Sequence, residues 1–144
     1  HQQQRPSHWQ LVEAPLSLEQ AIETHSTYDN CLVIDCLTLW LSNLLCKSNE
    51  HSGANMADNS ITIEREKLVA AIAKAPGKIV LVSNEVGHGI VPMGALSRNF
   101  VDESGWLHQS IASCCDRVEF VMAGLPLTLK GGNGFNTTDN TSKP

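Results

Sequence analysis

The chain has 144 residues, 42% hydrophobic and 17% charged, with a formal net charge of -5. That length suits a single domain burying about two thirds of its unfolded surface, and no apolar run approaches the roughly 20 residues of a membrane span. The few, scattered Lys and Arg exclude a phosphate-backbone binder, so nucleic acid is not an expected partner.

In chain order, Ser17 followed by Gln20 fits a capping box, predicting a helix over 18–25. Cys31-Leu32-Val33-Ile34-Asp35 is an unbroken apolar run closing on a carboxylate, the pattern of a parallel strand buried on both faces. Residues 38–45 have helix-compatible spacing, and 47–60 are polar and aperiodic, predicting a loop. Ile61, Leu68 and Ile72 share one helical face over 61–74, stopped by Ala75-Pro76-Gly77. A second buried strand over 78–84 delivers Asn84 and Glu85 into the Gly-rich stretch 86–92, the edge of a site. A long helix over 96–116 precedes a third strand over 117–123, ending at Gly124-Leu125-Pro126.

This alternation predicts an α/β domain over 1–130: a mostly parallel sheet with helices on both faces and ligands at the strands' carboxyl ends. The Gly/Asn/Thr-rich tail 131–144 has one large apolar residue, Phe135, and is expected to be disordered. Its two Asn-x-Ser/Thr triplets are read as composition, because residues 1–6 do not open a secretory signal and the cytoplasm is the expected location. Cys31, Cys36, Cys46, Cys114 and Cys115 are odd in number, without a CxxC pair or zinc-ligand spacing, which predicts neither disulfides nor a zinc site. Those within or beside apolar runs read as small buried hydrophobes.

Three clusters carry chemistry. His1, Arg5, Trp9 and Glu13 combine an imidazole, a bidentate cation, an aromatic plate and a carboxylate, which fits a phosphate site or a terminus with Trp9 packed in a core. Asp35 ends a buried strand, where nucleotide triphosphatases hold Mg²⁺ through a carboxylate. Asn84 and Glu85 precede Gly87 and Gly89, where backbone approaches a ligand closely or simply forms a loop.

Taken in order, His1-x-x-x-Arg5-Pro6-x-x-Trp9, Glu13, Leu32-Val33-Ile34-Asp35-Cys36-Leu37-Thr38 with Asn43-Leu44-Leu45, Val80-Leu81-Val82-Ser83-Asn84-Glu85-Val86-Gly87-x-Gly89-Ile90-Val91-Pro92, Leu96-x-Arg98-x-Phe100-x-Asp102-x-x-Gly105 and Gly124-Leu125-Pro126 resemble the adenosylcobinamide kinase / adenosylcobinamide-phosphate guanylyltransferase family. The resemblance covers about residues 1–130. It implies a P-loop NTPase-like (RecA-like) fold and a bifunctional cobalamin-assembly enzyme. Such an enzyme phosphorylates adenosylcobinamide with a nucleoside triphosphate, ATP or GTP, and then transfers GMP from GTP through a guanylyl-histidine. Residue by residue it implies His1 as catalytic nucleophile, GTP against Gln2, Gln3, Gln4, Arg5, Glu13 and Asp35, Mg²⁺ on Asp35, and a homotrimer. The family's first strand and its GxxxxGK[ST] loop have no counterpart here, which reads as truncation rather than divergence. Gln2-Gln3-Gln4 replaces a usually basic segment, and His108 stands where the family usually has Asn. The competing expectations are a non-catalytic nucleotide-binding or self-associating remnant of that family and an α/β phosphotransferase acting on another substrate.

Overall fold

The computed structural model describes residues 6–51 and 59–132. His1, Gln2, Gln3, Gln4 and Arg5, much of the polar stretch 47–60 and the tail beyond Gly132 lie outside the described residues. In α1 (Leu18–His25) the buried pair Leu18 and Ile22 lies four residues apart, which puts both on one helical face. Ser17 holds the N-cap position at ψ 64° without a side-chain cap hydrogen bond, so the expected capping box does not form; an N-cap hydroxyl reaches the helix amides from β-region backbone.

β1 (Cys31–Asp35) matches the expected strand, and α2 (Leu37–His51) outruns its predicted end at Leu45. Buried Leu37, Trp40, Leu41, Leu44 and Leu45 anchor its first turns, after which each further residue adds a backbone bond without needing a hydrophobic period. The loop expected from residue 47 therefore starts later. α3 (Ser60–Lys74), β2 (Lys78–Val82) and α4 (Ala95–Cys114) lie within two residues of their expected bounds. The described residues close on β3 (Val118–Met122) and β4 (Leu125–Lys130).

β1 and β2 pair in parallel, from Cys31 opposite Lys78 to Asp35 opposite Val82. Both alternate rather than being buried on two faces: Leu32, Ile34, Ile79 and Leu81 pack on the core, while Val33, Val80 and Val82 are 47%, 48% and 42% exposed. Helices were expected on both faces, but the described helices pack on one another and against a single face of this pair. The third strand also departs from the parallel expectation, because β3 pairs antiparallel with β4 in a second two-stranded sheet. The cause is local. Ala123 and Gly124 have φ of 53° and 77°, the backbone of a two-residue hairpin turn, and Pro126 is tolerated on a strand at a sheet edge.

Alanine tolerates the left-handed region poorly, whereas asparagine adopts it readily. Ala123→Asn is therefore expected to raise the free energy of unfolding by about 0.5–1 kcal/mol, read as a higher urea midpoint at unchanged slope. The hairpin is tied to α4 by Lys130, whose ammonium donates to the carbonyls of Ala112 and Ser113 at 2.8 and 3.0 Å. A cation there satisfies otherwise unpaired carbonyls at a helix C-terminus.

The core lies in the helical layer, where Ile22, Leu41, Leu68 and Leu107 are almost completely buried. An ion pair crosses it: Arg65 on α3 donates to Glu103 on α4 at 2.9 Å, and its guanidinium lies 5.8 Å from the Trp106 ring centroid. Burial holds the Glu103 carboxyl above its ordinary 4.5 despite Arg65. The folded chain therefore binds that proton more tightly than the unfolded chain. This contribution to stability is present below pH 4.5 and is lost as pH rises through the folded value.

Arg65→Met leaves a buried carboxylate without its cation and is expected to cost about 3 kcal/mol near neutrality. The deficit should shrink in acid, where Glu103 is neutral, and Glu103→Gln in the Arg65→Met background should recover part of it; urea titrations over that pH range test both points. None of the five cysteines is fully buried, so the burial expected of those within or beside apolar runs is not met, and all are free. Cys31, Cys36, Cys114 and Cys115 sit at strand and helix ends, where one side of the residue still faces solvent, and Cys46 is an exposed position within α2. Among the described residues, no helix is long and apolar enough to cross a membrane.

Candidate functional site at the strand ends

Parallel pairing with Asp35 opposite Val82 makes β1 and β2 end together, so the segments that follow them emerge side by side. β1 ends on exposed Asp35, and a cis Asp35–Cys36 peptide leads to the start of α2 at Leu37. After β2 come Ser83, Asn84 and Glu85. The two exits are joined, because the Asn84 amide donates to the Thr38 hydroxyl at 3.2 Å, and that hydroxyl lies 3.1 Å from the Cys36 thiol. The sequence-expected residues Asp35, Asn84 and Glu85 therefore share one rim, at the carboxyl ends of the parallel pair.

α4 completes that rim. His108 Nε2 lies 2.6 Å from the Ser83 hydroxyl, and its Nδ1 lies 3.5 Å from Glu85 Oε2. The other Glu85 oxygen, Oε1, accepts the Gly87 amide at 2.6 Å. A Cβ at position 87 would stand 2.8 Å from that oxygen, so a larger residue there would push the end of the Glu85 side chain aside. Arg98 pins the loop by donating to the carbonyls of Pro92 and Met93, and Ile90, Val91 and Met93 stay exposed.

Glu13 occupies a different place, the edge of a shallow groove of about 420 Å³ with Gln20 and Thr24. Its segment is strapped onto α2. The Trp40 indole donates to the Leu16 carbonyl at 2.8 Å, and the Asn43 amide donates to the Pro15 carbonyl at 3.1 Å. No hydrogen bond or ion pair joins Glu13 to Asp35 among the described residues, and Trp9 is half exposed rather than packed in a core. His1 and residues 2–5 lie outside the described residues, so the expected nucleophile and its phosphate contacts are not placed.

Sequence reading missed Ser83 and Thr38 as parts of the rim and took His108 only as a departure from a pattern. A polar residue directly after each apolar strand was the available signal for the first two. Nothing local links His108 to Ser83, 25 positions away. Among the described residues no three His, Cys, Asp or Glu side chains form a metal cluster. The rim offers two exposed carboxylates, Asp35 and Glu85; Glu85 is engaged by the Gly87 amide and His108, and Asp35 fits a Mg²⁺ that keeps most of its waters and takes its remaining ligands from phosphates.

The family model described as cobinamide kinase / cobinamide phosphate guanyltransferase matches residues 1–129. The chain is 48% identical over 132 residues to the bifunctional adenosylcobalamin biosynthesis protein CobP of Pseudomonas aeruginosa, covering 91% of this chain and 71% of that protein. It is 33% identical over 135 residues to the bifunctional adenosylcobalamin biosynthesis proteins CobU of Escherichia coli and of Salmonella typhimurium, covering 90% of this chain and 75% of each. With its strand-end rim built from the same ordered motifs, the chain belongs to the cobinamide kinase / cobinamide phosphate guanyltransferase family.

Proposed function

We propose that this chain carries the guanylyl-transfer site of a bifunctional enzyme of cobalamin biosynthesis, in a P-loop NTPase-like domain spanning residues 1–130. The observation that supports this most directly is the shared exit of β1 and β2, which sets Asp35 beside Asn84 and Glu85 at the end of a parallel pair where such folds bind ligands. The family match over residues 1–129 supports the same reading from the sequence side.

In the proposed transfer the His1 imidazole attacks the α-phosphorus of GTP. A P–N bond forms, the bond to the β-phosphate oxygen breaks, and pyrophosphate leaves. The phosphate of adenosylcobinamide phosphate then attacks the same phosphorus, breaking the P–N bond to give adenosylcobinamide-GDP and free His1. A neutral imidazole is a competent nucleophile near neutral pH, and two displacements replace one harder one. Arg5 neutralises charge developing on the phosphates, with Gln2, Gln3, Gln4 and Glu13 as further nucleotide contacts.

Asp35 is proposed to hold Mg²⁺, which when bound would screen the phosphate charge. The preceding step, phosphorylation of the adenosylcobinamide hydroxyl with ATP or GTP, requires a phosphate loop of the GxxxxGK[ST] type, which residues 1–144 do not include. A cytoplasmic homotrimer completes the reading.

Incubation of the full native chain with GTP labelled at the α-phosphate tests it. Acid-labile, alkali-stable label on protein that adenosylcobinamide phosphate discharges is the expected result, and absence of label would sink the histidine assignment. A second reading, a non-catalytic, self-associating member of the family, draws on the exposed Val33, Val80 and Val82 face. Sedimentation showing assembly without any GTP binding would favour it.

A further inference from the structure

Three side chains at the rim are linked in a way that guanylyl transfer through His1 does not call for. Ser83 leaves β2 one residue after the Asp35–Val82 pair, so it stands on the same edge as Asp35. Its hydroxyl is 2.6 Å from His108 Nε2, and Glu85 Oε2 is 3.5 Å from the other ring nitrogen. Glu85 is held from behind by the Gly87 amide.

At 3.5 Å the Glu85 contact is electrostatic rather than a full hydrogen bond, yet it is enough to select a tautomer. An N–H at Nδ1 facing a carboxylate is attractive, and a lone pair there is repulsive. The neutral ring thus points the Nε2 lone pair at Ser83, which gives it the only hydrogen it has. The Ser83 oxygen then offers lone pairs alone to anything bound at the rim. Protonation reverses this: Nε2–H donates to the Ser83 oxygen, and the hydroxyl hydrogen is released toward the ligand.

We propose that His108 is a positioning residue that makes Ser83 a proton-controlled contact for a phosphate oxygen bound at the strand ends. The inference rests on the nucleotide reading of this rim. Anionic phosphate oxygens accept hydrogen bonds and do not donate them, so binding favours the charged ring and takes up a proton. Around the imidazole, the loop after β2 contributes Glu85, and β1 contributes the Asp35 carboxylate at the neighbouring strand end. From α3, Arg65 is committed to Glu103. From α2 comes Thr38, which accepts from Asn84 and touches the Cys36 thiol just before the helix. On α4 itself Asp102 and Glu103 lie more than a turn before His108.

The test is calorimetric titration of Mg²⁺–GTP into the full native chain and its His108→Asn, His108→Gln and Ser83→Ala variants, between about pH 5 and 8. Taking the ratio of wild-type to variant affinity cancels the protonation of GTP itself. That ratio is expected to rise about five- to tenfold from the alkaline to the acid end for His108→Asn and His108→Gln. Ser83→Ala should lose the same dependence while keeping its imidazole, and ¹⁵N shifts of the wild-type ring should show the Nδ1–H tautomer in alkali. A His108 that only braces the fold would give a ratio constant with pH, and a dependence surviving in Ser83→Ala would reduce the effect to the field of the charge; either result overturns the proposal while leaving the nucleotide reading intact. Absence of GTP binding at every pH overturns both.

Discussion

Replacing His1 with alanine is expected to abolish the GMP adduct and to lower guanylyl transfer by about 10⁴-fold or more, the scale seen when a covalent nucleophile is removed. The loss should fall on kcat. An imidazole that attacks phosphorus contributes mainly in the transition state, so the affinity for GTP should change little. In the full native chain the kinase half-reaction should survive, because phosphoryl transfer to the adenosylcobinamide hydroxyl does not pass through this histidine. Assaying both reactions on one preparation separates a lost nucleophile from a damaged fold, since unfolding would remove both. Full guanylyl transfer with label still attached to the His1→Ala protein would move the nucleophile elsewhere.

Asp35→Asn is expected to lower both nucleotide-dependent reactions by about 10²- to 10³-fold. The substitution keeps the shape of the side chain and removes the charge that would hold Mg²⁺. Its characteristic sign is therefore in metal dependence: raising Mg²⁺ should strengthen GTP binding to the wild type and have much less effect on Asp35→Asn. Stability should hardly move, because Asp35 is exposed at the strand end and surface substitutions usually stay within about 0.5 kcal/mol. A large loss of stability with unchanged Mg²⁺ dependence would make Asp35 a structural residue. The two substitutions thus divide the proposed chemistry, one touching a single half-reaction and the other both.

Much of the local structure was legible in the order of residues. The strand over Cys31–Asp35 and the helix over Leu18–His25 have their expected bounds, because hydrophobic period and Pro/Gly punctuation act over a few residues and do not depend on distant partners. The end of α2 was misjudged. Once Trp40, Leu41 and Leu44 are buried, helix propagation carries polar residues such as Lys47 along, and no hydrophobic pattern records that extension. The hairpin of β3 and β4 was missed because Gly124-Leu125-Pro126 was read as a stop. Proline excludes a central strand but not one at an edge.

The family was contained in the chain's own ordered motifs, since a strand-terminal carboxylate and a Gly-rich turn after a strand are properties of residue type and short spacing. Tertiary structure alone decided how those pieces face each other. Apolar runs such as Lys78–Val82 do not say whether one face or two will be covered, because that depends on where helices from elsewhere in the chain come to rest; Val33 and Val80 remain exposed for that reason. Nor does the spacing of Ser83 and His108 foretell their 2.6 Å contact. It exists because Leu107 and Ile111 bury one face of α4 in the helical core, which fixes the rotation of the helix and brings the imidazole to the end of β2.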